Sequence, residues 1–474
     1  MNSKGEYILE RAGRDGAVVL GFGISNVPLV DFLLGRGIPV EVRDGKTRDA
    51  LGKNVDIAAY ERRGVPFRLG NGYLDDIPAS VVFRTPGIRP DAGGIPDAVG
   101  RGALLTSEME LFYALTPAYK IAVTGSDGKT TTTTLIHKLL SAVTSDTGAK
   151  VALGGNIGTP LLPRVYELTD GDFAVAELSS FQLMTMADAP ETAVITNISP
   201  NHLNWHTSMD EYIESKLRIL GPGCRRAVLN YNNAETRRAA EVTDAEVIWF
   251  TSGGVPDTLD RAVFLDGDEI VLRRGGKTTH LLSRRDIKLP GLHNVENYMA
   301  ALAAVVDLCP APVLISCARE LARSFGGVEH RLEFVRELDG VLYYNGSIDS
   351  TPSRTAAALS ALPDRKIVLI CGGYDKHIPM EPLGEAILAH GGVAHVMVTG
   401  ATSTLIADAF RAVGVPDDMY TVTPDLRSAT LGASACAKEA GADTVLLSPA
   451  CASFDAFANF EERGRFYKSV VNEL

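Results

Sequence analysis

Residues 121–134 read Ile-Ala-Val-Thr-Gly-Ser-Asp-Gly-Lys-Thr-Thr-Thr-Thr-Thr, and this stretch limits what the chain can become more than any other. An apolar, β-prone run breaks into a turn at Gly125 and Gly128, after which Lys129 and a row of hydroxyls open a helical pattern. Strand, glycine turn and helix in that order build an anion cradle. Backbone N–H groups converge, the helix N-terminus adds its dipole, and Lys129 adds a full charge. Thr130 would offer a hydroxyl to the magnesium that travels with a nucleotide, so Gly125, Ser126, Asp127, Gly128, Lys129, Thr130 and Thr131 are the candidate phosphate residues. The standard spacing asks for glycine at Val123, so this loop is shorter. A plain turn before a threonine-rich helix would leave the Lys129–Thr130 pair without a purpose.

The chain has 474 residues, beyond the size at which one core keeps growing, so several domains are expected. A net charge of −12 argues against a nucleic-acid or anionic-membrane partner while permitting a local basic pocket. The six cysteines show no metal-ligand spacing and read as reduced core residues. Neither a secretory leader nor an apolar run long enough to span a bilayer is present, which predicts a cytoplasmic protein.

Short apolar runs at 17–20, 40–43 and 81–83, with a helical pattern over 27–35, give a βαβ rhythm in the first hundred residues. The turn at 21–26, Gly-Phe-Gly-Ile-Ser-Asn, has the order of a dinucleotide fingerprint, but Asn26 replaces the third glycine. It is an anion or nucleotide contact or simply a tight turn. Ile24 and Ser25 on it, Asp44 at the end of the second strand, and Thr85 and Gly87 at the end of a later one share one sheet edge. A second unit starts near 112 with the cradle, and a third near 328 alternates again, with strands at 366–371, 395–399 and 444–447. The expected fold is α/β with three domains, 1–111, 112–327 and 328–474.

Glu177 follows the apolar run 173–176, and His202 follows another; both then sit at strand C-termini, where parallel sheets meet their ligands. Asn294 and Asn297, at i and i+3, share a helix face and suit a base or ribose, or a helix cap. Arg331 suits phosphate or ribose oxygens, or pairing with Glu333. Lys216 reads from charge pattern as a solvated helix lysine. In the last third, Gly-Gly-Tyr-Asp-Lys at 372–376 and Ser-Pro-Ala-Cys-Ala-Ser-Phe-Asp at 448–455 are strand-end loops able to receive a small carboxylate-bearing molecule, or, for the first, a surface turn.

Taken together, the cradle, Gly-Gly-Asn-Ile-Gly at 154–158, Glu-Leu-Ser-Ser-Phe-Gln-Leu at 177–183, His-Asn-x-x-Asn at 293–297, Glu-His-Arg-Leu-Glu at 329–333, the 448–455 loop and Glu-Glu-Arg-Gly-Arg at 461–465 resemble the Mur ligase superfamily, specifically its D-glutamate-adding branch, over nearly the whole chain. The resemblance implies a Rossmann-like N-terminal domain for a UDP-sugar, a central P-loop ATPase-type domain for ATP, and a C-terminal doubly wound Rossmann-like domain for D-glutamate. It implies ATP-dependent amide bond formation through an acyl phosphate, small-molecule substrates only, magnesium, and a monomer. By position it gives Lys129, Asn156, Glu177, His202 and Lys216 catalytic duties. Metal contacts would fall to Thr130, Glu177, His202 and Lys216, the last as a carbamate. Asn294, Asn297 and Arg331 would hold adenosine, while Ser350, Lys376, Ser448 and Phe454 would meet D-glutamate, and Ile24, Ser25, Asp44, Thr85 and Gly87 the UDP-sugar. Asp127, Asn201 and Gly346 depart from the usual pattern; at Gly346 a ribose-side carboxylate is missing, and Asp349 is the residue able to replace it. Sister ligases for other amino acids, folylpolyglutamate synthase and, from another class, a non-catalytic nucleotide-binding regulator are the alternatives.

Overall fold

The computed structural model describes residues 4–53, 55–202, 205–256, 259–289, 291–376 and 378–474. It divides into two compact units, residues 1–284 with 295–321, and residues 285–294 with 322–474.

The first unit contains two sheets. One joins β1 (Ala17–Leu20), β2 (Val40–Asp44), β3 (Phe67–Leu69), β4 (Val81–Arg84) and β5 (Leu104–Thr106) in the order β3-β2-β1-β4-β5, all parallel. Every residue of β1 and β4 is buried, as a parallel sheet covered on both faces demands, which is why these strands read as unbroken apolar runs. The other joins β6 (Tyr119–Thr124), β7 (Val151–Gly155), β8 (Phe173–Glu177), β9 (Thr192–Ile195), β10 (Arg226–Asn230), β11 (Glu246–Thr251), β12 (Arg261–Asp266), β13 (Glu269–Arg274) and β14 (Lys277–Ser283), ordered β14-β13-β12-β11-β10-β9-β6-β8-β7. Only β13 and β14 run antiparallel to their neighbours.

In this sheet β6 lies between β8 and β9, and the chain leaves it in one direction and returns in the other. That reversal opens a crevice at the strand C-termini. The cradle at the end of β6, Glu177 at the end of β8 and Thr196 beyond β9 therefore meet there. The helix Lys129–Val143 follows, burying Leu135, Ile136, Leu139 and Leu140 on its inner face. Its threonines, indifferent helix formers, return their hydroxyls to the preceding turn: Thr133 Oγ1 donates to the Lys129 carbonyl and Thr134 Oγ1 to that of Thr130.

The second unit holds β15 (Glu333–Leu338), β16 (Val341–Asn345), β17 (Ile367–Cys371), β18 (Val393–Val398), β19 (Tyr420–Val422) and β20 (Thr444–Leu447), ordered β15-β16-β20-β17-β18-β19, with β15 antiparallel. The chain is thus an α/β protein of doubly wound, mainly parallel sheets. Its six cysteines are unpaired, but only Cys371 and Cys451 are buried; the other four are half-buried, so the expectation of core cysteines holds for two. Among the described residues no helix is long and apolar enough to cross a membrane.

Ser107 caps the helix Glu108–Leu115, and the buried Glu108 carboxylate accepts the Leu162 N–H at 3.0 Å. Burial pushes this carboxyl up to about 7 from 4.5. The folded protein then holds a proton that the unfolded chain has released, so stability is full below pH 4.5 and falls as pH rises to about 7. Glu108→Gln should gain about 1–3 kcal/mol over the parent at about pH 8 and nothing near pH 4. Urea midpoints that differ equally at both pH values would contradict this.

Candidate functional site

The cradle is a tight loop because its glycines leave no choice. Gly125 has φ +147°, and a Cβ there would run into Thr196 Oγ1 and the Asn197 backbone; Gly128 caps the helix at φ +79°, against the Asn297 side chain. The loop is tied down at several points. Ser126 N–H donates to the Asn197 carbonyl at 2.9 Å, Asp127 N–H to Asn197 Oδ1 at 3.0 Å, and Thr196 Oγ1 to the Asp127 carbonyl at 2.5 Å. The Ser126 hydroxyl is buried between the Ser199 carbonyl and the Tyr212 phenol.

Lys129 Nζ donates to the carbonyls of Gly125 at 2.9 Å and Ser126 at 2.8 Å. Lys216, on the helix Met209–Leu217, reaches the same Gly125 carbonyl at 2.7 Å and is only 1% exposed. The charge-pattern reading of Lys216 as a solvated lysine is therefore corrected: the helix turns it inward, over the Tyr212 ring at 4.6 Å. Burial, reinforced by the neighbouring Lys129 charge, lowers its pKa from 10.5 to about 6, so the amine is neutral near pH 7.

Glu177 is equally enclosed. Its Oε1 accepts from Asn156 Nδ2 at 2.7 Å, while the buried Oε2 has no hydrogen-bond partner. A buried carboxylate oxygen left without a donor suits a cation. His202, at φ +55°, packs edge-on to Phe181 at 5.1 Å, and burial followed by the charge of Lys129 lowers its pKa, favouring the neutral imidazole. Among the described residues no group of three or more His, Cys, Asp or Glu forms a closed metal cage.

Asn297, on the helix Leu292–Val305, turns its carboxamide to the cradle, accepting from Thr132 Oγ1 at 3.2 Å. Asn294 is one turn earlier on that helix, and Arg331 is an exposed residue of the second unit. Thr130 and Thr131 are half-buried in the first turn of the cradle helix.

At the first sheet, Ile24, Ser25 and Thr85 line a cavity of about 460 Å³ that extends to Asn156 and Gln182, so the loop after β4 and the neighbourhood of Glu177 share one space. Asp44 lies behind the glycine turn instead, its carboxylate accepting the N–H groups of Phe22 and Lys46, both at 2.8 Å. The Gly87 carbonyl accepts from Trp205 Nε1 at 3.3 Å. Asn26 fills the place of a third glycine by donating to the carbonyls of Leu20 and Gly21. Arg84, which sequence reasoning passed over, is fully buried and donates to the carbonyls of Pro86, Ile88 and Phe181, fastening this loop to the helix Ser180–Leu183. Nothing short of the fold could have singled it out.

In the second unit Lys376 Nζ donates to Ser350 Oγ at 2.9 Å. Ser448 is fully buried with its hydroxyl on Asp349 Oδ2 at 2.9 Å, and Phe454 is 65% exposed, edge-on to Tyr374. A Cβ at Gly346 would lie 2.5 Å from Asp349 Oδ2, so the Asp349 carboxylate occupies the space of a side chain at 346. Burial raises its pKa to about 6. Arg463 belongs to the Glu-Glu-Arg-Gly-Arg motif at 461–465. It is buried and ties the loops together through Ser347 and the carbonyls of Ala452 and Cys451.

A glycine cradle at the end of β6, the enclosed Lys216 amine on its Gly125 carbonyl and the unpartnered Glu177 oxygen at the end of β8 make a site suited to a polyanion and an accompanying cation. The family model for the Mur ligase middle domain matches residues 123–305, and that for the Mur ligase glutamate ligase domain matches residues 330–451. The chain is 42% identical to the UDP-N-acetylmuramoylalanine–D-glutamate ligase of Ruminiclostridium cellulolyticum, with all of both chains covered. It is 43% identical to the enzyme of that name from Symbiobacterium thermophilum, over 97% of this chain and 98% of that one. The crystal structure of UDP-N-acetylmuramate–alanine ligase from Thermotoga maritima shares the fold, with a TM-score of 0.54 at 19% identity over 96% of this chain and 99% of that one. The chain belongs to the Mur ligase family.

Gly125→Ala forces a methyl into Thr196 and should weaken binding of a non-hydrolysable ATP analogue by at least roughly tenfold. Unchanged affinity in a calorimetric titration would show that the tight loop is not required.

Proposed function

We propose that this chain joins D-glutamate to UDP-N-acetylmuramoyl-L-alanine at the expense of ATP, in cytoplasmic synthesis of a peptidoglycan precursor. The observation that carries the reading is the meeting of Lys129, Lys216 and Glu177 at the cradle of a chain whose full length matches D-glutamate ligases. Residues 1–111 hold the UDP-sugar, 112–327 hold ATP, and 328–474 receive D-glutamate; the chain works as a monomer, without nucleic acid or membrane.

An oxygen of the alanyl carboxylate attacks the γ-phosphorus, the bond to the β-phosphate oxygen breaks, and ADP leaves. The resulting acyl phosphate has an electrophilic carbon. The D-glutamate amine attacks it, a proton is lost from nitrogen, and the tetrahedral intermediate expels phosphate to leave the amide. No covalent enzyme nucleophile is needed: the task is to bring a carboxylate to a triphosphate and hold it there. Lys129 and the cradle amides offset the repulsion between the two anions. Asn156, fixed by Glu177, orients the acceptor end of the shared cavity. Thr130, Glu177, His202 and a carbamate on Lys216 would hold magnesium, which would supply further positive charge. The neutral Lys216 amine is the form that adds carbon dioxide. Asn294, Asn297 and Arg331 serve adenosine, with Asp349 providing the carboxylate that Gly346 lacks. Ser350 and Lys376 face D-glutamate, joined by the Ser448 and Phe454 loop.

Phosphate release with ATP and UDP-N-acetylmuramoyl-L-alanine should depend on D-glutamate and fall to background with L-glutamate, L-alanine or diaminopimelate; release with another amino acid instead would reassign the branch. Lys129→Ala should lose about 10³-fold in kcat, and a loss under roughly tenfold would remove its role. Lys216→Ala should be inactive and partly restored by short-chain carboxylates. Full activity without them would exclude the carbamate.

A further inference from the structure

The first unit contains a hydrogen-bonded chain to which none of the roles above gives a purpose. The His206 side chain is wholly enclosed, with Nε2 2.9 Å from Ser180 Oγ and Nδ1 3.2 Å from Glu211 Oε2. Glu211 Oε2 also accepts the Thr207 N–H at 2.8 Å, and the two carboxylate oxygens take both Arg89 Nη atoms, at 2.9 and 3.0 Å. Arg89 donates as well to the Trp205 carbonyl, its guanidinium 5.0 Å from the Trp205 ring.

Where these residues are attached gives the chain its meaning. Ser180 begins the short helix Ser180–Leu183, directly after the Glu177 strand end. Glu211 lies in the first turn of Met209–Leu217, the helix that delivers Lys216. Arg89 closes the loop that starts at Thr85 and lines the nucleotide-sugar cavity. Three segments, each bearing a residue of the proposed site, are thus joined through one imidazole.

The protonation pattern is consistent. Arg89 first, with help from the Thr207 N–H, holds the Glu211 carboxyl at about 2. A neutral ring donating from Nδ1 to the carboxylate leaves Nε2 to accept the Ser180 hydroxyl, which sets both tautomer and orientation.

We infer that His206 is a positioning residue for amide bond formation, setting the Lys216 helix against the Glu177 strand end and tying both to the nucleotide-sugar loop through Glu211 and Arg89. The inference rests on the function proposed above. A displacement of about 1 Å at such a site costs about 10²-fold in rate, so loss of the link should be read in turnover and not in substrate affinity.

His206→Phe keeps a ring and removes both nitrogens, His206→Gln restores one polar contact, and Ser180→Ala removes a single hydroxyl. With all three substrates, His206→Phe should lose about 10²-fold in kcat and Ser180→Ala about tenfold, and His206→Gln should recover part of the loss. The Michaelis constants, and the calorimetric Kd for an ATP analogue, should change by less than about threefold. If His206→Phe does not fold, Ser180→Ala decides alone. A Ser180→Ala enzyme within about twofold of the parent in kcat, or one whose loss lies in the Michaelis constants, overturns the inference while leaving the function standing. A parent chain that releases no phosphate with D-glutamate overturns both.

Discussion

Two lysine side chains reach for one carbonyl oxygen, that of Gly125, with Lys129 at 2.9 Å and Lys216 at 2.7 Å. Two charged ammoniums cannot share such a place cheaply, and the surroundings decide which yields. Lys129 is half-buried at the mouth of the cradle, whereas Lys216 is enclosed beneath it. Desolvation therefore falls on Lys216, and the nearby charge pushes the same way. One loop in this way presents a fixed cation and a neutral amine side by side.

The arrangement depends on close backbone approach. The cradle curls against Thr196 and Asn197 because Gly125 has no side chain, and Gly155, the last residue of β7, lies against the Glu177 backbone for the same reason. These contacts bring the ends of β6, β7, β8 and β9 to one place. The cavity that runs from Thr85 to Asn156 then leads from the first sheet toward the Glu177 carboxylate. In the second unit the same principle appears with a different device: Gly346 makes room for the Asp349 carboxylate, and Arg463 stitches the neighbouring loops.

Much of the fold could be read from the chain because local pattern determines it. The strands Ala17–Leu20 and Thr444–Leu447 fall where the apolar runs end, and the helix expected at 27–35 runs Asn26–Leu34, one residue early, since Asn26 fastens its start to the glycine turn. The cradle and Glu177 were legible because a glycine turn or an acid at a strand end has a local signature. Lys216 was not: whether a helical lysine faces water or a core depends on what packs over it, and only the family resemblance pointed there. Arg84 and His206 escaped for the same reason, since their partners lie 97 and 26 positions away at Phe181 and Ser180. The inward turn of the Ser448 hydroxyl, toward Asp349, likewise follows from long-range contacts that spacing does not record.

The cradle holds ATP so that its γ-phosphoryl group passes to a carboxylate. This transfer is tested most directly by following oxygen from UDP-N-acetylmuramoyl-L-alanine labelled with ¹⁸O in the alanyl carboxylate, under turnover with ATP and D-glutamate. One labelled oxygen is expected in each phosphate released, because the C–O bond of the acyl phosphate breaks when the amine attacks. Amide formed with unlabelled phosphate would contradict it.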